Sequence, residues 1–156
     1  KISQKIINKE GSIKFSTTHQ GHSIGIAAAL QTQKIIHNKL FLKHVYEKGK
    51  YLRDVIFSEL KSHEFFKNVR GRGLRNSLEY DCKNKHLFGS ELTEHAKNNH
   101  NLLISAKWHR VCFSPAINIE YKDLDKIIEK FLKTFKNVSK DWSTRKLKQK
   151  KERIYY

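Results

Sequence analysis

Residues 111–138 read VCFSPAINIEYKDLDKIIEKFLKTFKNV, which predicts a short strand followed by an amphipathic helix. Pro115 ends the strand Val111 to Phe113, because proline lacks the N–H that a sheet ladder needs. The predicted helix runs from Tyr121 to Val138, with apolar side chains three and four residues apart. These are Leu124, Ile127, Ile128, Phe131, Leu132 and Phe135. Such a helix is expected to pack its apolar stripe on a sheet.

Shorter elements precede this segment. Residues 102–105 predict a strand, followed by a turn at 106–109. Before them, a helix capped by the hydroxyl of Ser90 is expected to run to about residue 98. Residues 69–74 form an extended segment with two glycines, which continues into an alternating strand at 76–80. Together these segments predict a small sheet.

Two long helices are predicted in the first part of the chain, after a short helical piece at 2–8. One carries an apolar face from Ile24 to Ile36, and after a break at 37–39 the other runs from Leu40 to Leu60. Gly49 lies inside the second helix, where glycine costs about 1 kcal/mol relative to alanine, which indicates close packing or a local bend. The order of elements predicts an α+β fold, with long helices packed on one face of a short, mostly antiparallel sheet.

The chain is strongly basic. Its 156 residues include 32 Lys or Arg and 15 Asp or Glu, which gives a net charge of +17. This surplus attracts phosphates and leaves open an alternative function, a basic non-catalytic module that binds nucleic acid or an acidic partner. No RNP pattern, zinc-finger spacing or basic zipper accompanies the charge. Residues 139–156 form a basic tail without a helical apolar stripe, which we expect to be disordered.

The sequence also bears on compartment and metal content. No apolar run reaches the ~18 residues of a membrane span, and the first residues lack the apolar block of a signal peptide, so we expect a cytoplasmic protein. Cys82 and Cys112 belong to no CxxC pair or Cys/His cluster. The sequence therefore predicts neither a disulfide framework nor a metal site.

A loop rich in hydroxyl groups and broken by glycine precedes the first long helix. Residues 17–30 read TTHQGHSIGIAAAL, so Thr17, Thr18 and Ser23 lie near the start of an alanine-rich helix. Unpaired backbone N–H groups and the positive end of the helix dipole, together with these hydroxyls, form a setting that binds phosphate. An ordinary N-capped helix is the simpler alternative on local chemistry alone.

Three motifs give the chain a resemblance to a known family. They are THQGHS at 18–23 with the alanine-rich run at 27–30, VRGRGL at 69–74 with Leu78-Glu79, and VCFSPAI at 111–117. In this order the chain resembles the C-terminal portion of class III (omega-type) pyridoxal-phosphate-dependent aminotransferases, over roughly residues 1–138.

The resemblance implies a fold and a function. Residues 1–38 are expected to be the end of the large PLP-binding domain, and residues 39–138 the small C-terminal domain of a fold-type I PLP-dependent transferase. The parent protein is expected to transfer an amino group between an amine or amino acid and an oxo acid. Its cofactor would be pyridoxal 5′-phosphate and its partner the second subunit of a homodimer. A truncated relative kept only as a dimerisation piece is a further alternative.

The resemblance also implies roles for individual residues. Thr18 is expected to contact the phosphate of a cofactor bound mainly by the neighbouring subunit, and Thr17 is the alternative contact. His19 is expected to line the substrate entrance. Cys112 stands where many members have an arginine for the substrate carboxylate. Either Arg110, two residues earlier on the same strand face, replaces it, or carboxylate recognition is lost. The lysine that forms a Schiff base with the cofactor lies upstream of the threonine loop in this family, so no catalytic residue is expected in this chain.

Overall fold

The computed structural model describes residues 2–12 and 17–149. The elements in chain order are α1 (Ile2–Glu10), α2 (Ser23–Ile36), α3 (Lys39–Leu60), β1 (Phe66–Arg72), β2 (Arg75–Tyr80), α4 (Lys85–His100), β3 (Ser105–Lys107), β4 (Arg110–Phe113) and α5 (Tyr121–Gln149). The chain divides into two compact units between Phe41 and Leu42. No helix within the described ranges is both long and apolar enough to cross a membrane.

The first unit contains α1, α2 and the beginning of α3. Gly11 follows α1 at φ +73°, a left-handed conformation that costs glycine little. α2 begins after His22, whose Nδ1 accepts the N–H of Gly25 at 3.1 Å. α3 begins after Asn38, whose Oδ1 accepts the N–H of Leu40 at 2.9 Å. The predicted helices of this part, and the break between the two long ones, are therefore confirmed.

The second unit contains a four-stranded sheet in the order β1-β2-β4-β3, with every neighbouring pair antiparallel. β1 and β2 form a hairpin closed by the pair Arg72 and Arg75. The predicted extended segment at 69–74 is thus a separate strand and a turn, because Gly73, at φ +52°, reverses the chain.

One face of the sheet is buried. Asn76, Leu78 and Tyr80 of β2 and Val111 and Phe113 of β4 point to this face. They pack against apolar side chains of α3, α4 and α5, including Leu52, Ile56, Leu60, Phe88, Leu92, Leu124, Ile128, Phe131 and Phe135. The expected arrangement of helices on one face of a small antiparallel sheet is confirmed.

Tyr80 connects three elements inside this core. Its hydroxyl lies 3.2 Å from the carbonyl oxygen of Lys85 at the start of α4. It lies 3.1 Å from the carbonyl oxygen of Trp108 in the turn between β3 and β4. Burial raises the pKa of Tyr80 to about 12. The hydroxyl therefore stays protonated at physiological pH, and its single proton can be donated to either carbonyl.

The start of α4 differs from the prediction. The helix begins at Lys85, after Asn84 in the left-handed conformation and without a side-chain cap. Ser90, the predicted cap, lies inside the helix and donates its hydroxyl to the carbonyl of His86 at 3.1 Å. The prediction was wrong because a serine hydroxyl can bond backbone inside a helix as well as at its start. The end of the helix at His100, followed by Asn101, lies close to the predicted position.

The strand predicted at 102–105 lies later in the chain. β3 covers only Ser105–Lys107, and residues 102–104 are irregular. A two-residue turn with Trp108 at φ +61° joins β3 to β4, so that Lys107 pairs directly with Arg110. The tight turn therefore sets the register, and residues 106–107 belong to the strand rather than to the predicted turn.

The last helix is longer than predicted. α5 continues through residues 139–149, which we expected to be part of a disordered tail. Val138, Ser139 and Trp142 are buried, and the Trp142 ring meets that of Phe88 with centroids 5.4 Å apart. This single aromatic extends the apolar stripe among charged neighbours, and the prediction missed it. Residues 150–156 of the predicted tail lie outside the described residues.

α3 packs backbone against backbone on the hairpin turn. A Cβ at Gly49 would lie 1.8 Å from the carbonyl oxygen of Gly73. Asn76 binds the same turn, donating from Nδ2 to the carbonyl of Gly73 at 3.0 Å and accepting from Arg53 of α3 at 2.7 Å. Of the two alternatives for Gly49, close packing or a local bend, the structure shows close packing, which holds the hairpin against α3.

His63 is expected to make stability depend on pH below neutrality. Its Nδ1 accepts the N–H of Phe65 at 3.2 Å, and its ring packs on Phe135 at 5.1 Å. Desolvation lowers the pKa of His63 from its ordinary value of 6.5, with a further lowering by Lys136 and an opposing effect of Glu64. As the pH falls, His63 therefore binds its proton in the unfolded chain before it does so in the folded chain. Stability is complete above about pH 6.5 and decreases below it.

The measurement for His63 is the thermal midpoint at pH 7.5, 6.5 and 5.5. His63→Asn keeps an acceptor for the N–H of Phe65 without a titrating ring, so the variant should lose less stability on acidification than the wild type. His44→Asn changes an exposed histidine and should leave the pH profile as it is. Identical profiles for wild type and His63→Asn would contradict the prediction.

Candidate functional site

The threonine loop lies in the first unit. Residues 18–21 form a turn, in which the carbonyl of Thr17 accepts the N–H of Gln20 at 3.0 Å. Gly21 follows at φ +81° and leads the chain into α2. Thr17, Thr18 and His19 are all exposed, so their side chains are accessible to a ligand.

The start of α2 carries partly unpaired N–H groups. His22 caps the helix, because its Nδ1 accepts the N–H of Gly25. Within the described residues, the N–H groups of Ser23 and Ile24 have no acceptor. A helix start of this kind, preceded by exposed hydroxyls, suits an anion such as a phosphate.

Arg110 and Cys112 lie on the other face of the sheet. Along β4, Val111 and Phe113 are buried, whereas Arg110 is exposed and Cys112 is half-buried. The predicted shared face of Arg110 and Cys112 is therefore confirmed. The Sγ of Cys112 lies 3.6 Å from the Oγ of Ser77 on the neighbouring strand. The thiol is thus partly covered by its neighbours on this face, whereas Arg110 is accessible to solvent.

Glu79 is a charged residue of this face that the sequence analysis did not assign to the site. It is 9% exposed and stands directly opposite Arg110 in the register of β2 and β4. It forms an ion pair with Arg70 of β1. One carboxylate thus lies on the same face as two arginines. Ser77 and Glu79 alternate with the core-facing residues Asn76, Leu78 and Tyr80, which indicates the face they share, but only the strand register reveals their neighbours.

The candidate residues fall into two groups. Thr17, Thr18 and His19 share the loop of the first unit, and Arg110 belongs to the second unit. The loop fits one end of the expected cofactor, because its hydroxyls and helix N–H groups are donors for phosphate oxygens. Across residues 2–12 and 17–149, no three or more His, Cys, Asp or Glu residues are grouped so as to hold a metal ion.

Comparison with known sequences gives aminotransferases among the relatives. The family model described as Aminotransferase class-III matches residues 2–135. An acetylornithine aminotransferase of Bacillus cereus is 31% identical over 126 residues, which cover 79% of this chain and 31% of the relative. An aminotransferase of Gibberella zeae is 34% identical over 80 residues, which cover 51% of this chain and 16% of the relative. The chain therefore spans less than a third of the length of these relatives.

Comparison with solved structures shows the fold. The omega transaminase from Pseudomonas jessenii in complex with PMP matches 88% of this chain and 32% of its own, with a TM-score of 0.73 and 21% identity. The ornithine aminotransferase from Toxoplasma gondii matches 74% of this chain and 27% of its own, with a TM-score of 0.65 and 21% identity. The expected fold class, the α+β part of a fold-type I transferase, is confirmed. Since the family model covers most of the sequence, this chain belongs to the class-III aminotransferases, a family that depends on pyridoxal phosphate.

Proposed function

We propose that this chain is part of a pyridoxal-phosphate-dependent transaminase, which transfers an amino group between an amine or amino acid and an oxo acid. The family match over residues 2–135 carries the proposal. Because the chain spans 31% of the Bacillus cereus relative, the rest of the active site, including the lysine that attaches to the cofactor, would come from other parts of the protein. The chain alone would be inactive. Neither the family nor these relatives support the alternative of nucleic-acid binding.

Thr18 is the proposed contact to the cofactor. Pyridoxal phosphate supplies the electron-withdrawing ring that transamination needs, and the protein binds and orients it. The exposed hydroxyl of Thr18 would donate to a phosphate oxygen at the positive end of α2, with the hydroxyl of Thr17 as a second donor. Following the family resemblance, the phosphate would belong to a cofactor held mainly by the second subunit.

Arg110 is the proposed contact to the substrate. Its guanidinium group is exposed on the open face of the sheet and matches the geometry of a carboxylate. The neighbouring Glu79 is already paired with Arg70, which leaves Arg110 available for a substrate carboxylate. His19, exposed in the threonine loop, would line the substrate entrance.

The proposed assembly is a homodimer in the cytoplasm. α2 exposes large apolar side chains, with Ile24 74%, Leu30 59% and Ile35 60% exposed, and a second subunit would cover such a surface. Cys82 and Cys112, both among the described residues, form no disulfide with each other, which suits a reducing compartment.

Replacing Thr18 with valine tests the cofactor contact in the full-length protein. The change removes the hydroxyl and keeps the shape of the side chain. Loss of one hydrogen bond to a charged phosphate should weaken binding of pyridoxal phosphate by about tenfold or more. The affinity is measured by titrating the apoprotein with the cofactor and following its absorbance.

Matched variants separate the roles. Thr18→Ser retains the hydroxyl and should bind the cofactor nearly as well as the wild type. Arg110→Gln should raise the KM for a carboxylate substrate and leave the cofactor affinity unchanged. Full affinity in Thr18→Val would contradict the phosphate contact. If the folded full-length protein shows no absorbance change of the bound cofactor with any amine donor, the transaminase proposal itself fails.

A further inference from the structure

An open groove lies at the tip of the β1–β2 hairpin, within the second unit. Arg72 and Arg75 of the hairpin line it, together with Val45 of α3 and with Ser114 and Ile117 of the segment after β4. Its volume is about 440 Å³, a size typical of sites for small molecules. Arg110 is not among its lining residues, and it stands at the opposite end of β4 from Ser114.

The two arginines of the groove lack a counter-charge. Arg72 and Arg75 are direct partners in the register of the hairpin, and both are exposed. Among the described residues, neither one has an ion pair or a side-chain hydrogen bond. By contrast, Arg70 on the same strand is paired with Glu79. Like charges directly opposite each other destabilise a strand pair, and a bound anion would relieve this repulsion.

The turn that carries these arginines is held in place. Gly73 has φ +52°, and its carbonyl oxygen lies against Gly49 of α3. Asn76 donates to this carbonyl and accepts from Arg53. A ligand would therefore meet two cations on a fixed backbone, so that less conformational entropy is lost on binding.

We propose that this groove binds a small organic carboxylate with an apolar tail. Guanidinium groups bind carboxylates through paired N–H donors, and Arg72 and Arg75 supply two of them. The hydroxyl of Ser114 is a further donor at the groove. Val45 and Ile117, the latter 47% exposed, give the tail an apolar wall. The site is separate from the proposed contact of Arg110 with substrate.

The test uses hexanoate as the probe and the full-length protein that contains this chain. Calorimetric titration should show that the double variant Arg72→Gln/Arg75→Gln binds hexanoate about tenfold or more weakly than the wild type. Lys107→Gln removes an exposed cation at the opposite edge of the sheet and should leave the affinity unchanged. Ile117→Ser should weaken hexanoate binding and spare acetate binding. Thermal midpoints establish that each variant is folded.

Several results would overturn the proposal. One is the absence of hexanoate binding to the wild type at millimolar concentrations, and another is unchanged binding in the double variant. If neutral hexanamide bound as tightly as hexanoate, the groove would bind ligands through its apolar wall alone, without a contribution from the arginines. Binding of inorganic phosphate as tight as that of hexanoate would show a general anion site without a requirement for the tail.

Discussion

Gly49→Ala is expected to lower the free energy of unfolding by about 3 kcal/mol, at the upper end of the usual cost of overpacking. Alanine is the better helix former by about 1 kcal/mol, so packing must more than reverse the intrinsic preference. The added methyl would lie 1.8 Å from the carbonyl oxygen and 2.3 Å from the carbonyl carbon of Gly73. Both atoms belong to backbone, so no side-chain rotation relieves the overlap, and α3 and the hairpin must separate.

Thermal and urea denaturation measure the effect of Gly49→Ala. A loss of this size corresponds to a fall in the midpoint of about 10 °C for a unit of this length. Ser58→Ala places alanine at an exposed position of the same helix and should change stability by less than about 0.5 kcal/mol. If Gly49→Ala melted within about a degree of the wild type, the backbone contact between α3 and the turn would not exist in solution.

Phe88→Ala is expected to cost about 3–5 kcal/mol, as for other fully buried aromatic side chains. Phe88 is 0% exposed and is the centre of an aromatic cluster. Its ring makes edge contacts with Tyr80 at 5.0 Å, Trp142 at 5.4 Å and Phe65 at 5.5 Å between centroids. Truncation leaves a cavity among rigid rings, which cannot collapse to fill it.

Comparison with an exposed phenylalanine isolates the contribution of burial. Phe57 is 49% exposed and contacts the ring of Phe66 at 6.0 Å, so Phe57→Ala should cost about 1 kcal/mol or less. A cycle with Trp142→Ala measures the coupling between Phe88 and the last turns of α5. Additive losses in that cycle would contradict the packing of Trp142 against Phe88.

Local sequence patterns predicted the elements whose side chains repeat regularly. The start of α5 at Tyr121 and most of α3 follow from apolar residues at helical spacing. The alternation along β4 placed Arg110 and Cys112 on one face. Residues that depend on tertiary contacts were not predictable in this way. Trp142 of α5 packs on Phe88 of another helix, and Trp108, at φ +61°, lies in the tight turn that follows β3.

The residues of the candidate site also differ in whether local sequence reveals them. Thr17 and Thr18 are recognisable from their hydroxyls beside a glycine and a helix start, all within a few residues. The pairing of Arg70 with Glu79, and the unpaired position of Arg72 opposite Arg75, depend on strand register. The segment 69–74 contains two glycines, Gly71 and Gly73, and only the structure shows that the turn lies at Gly73.

The hydrogen bond of Tyr80 helps the chain to stay folded despite its high net charge. A net charge of +17 favours expansion by mutual repulsion, and the repulsion grows as salt is removed. The link from β2 to the start of α4 and to the β3–β4 turn is the neutral hydroxyl of Tyr80, whose single proton can be donated to either of two carbonyl oxygens. Dilution of salt does not weaken a bond between uncharged groups. The hydrogen bond at the centre of the second unit therefore does not depend on ionic strength. The charges that repel each other lie mostly at the surface of the unit.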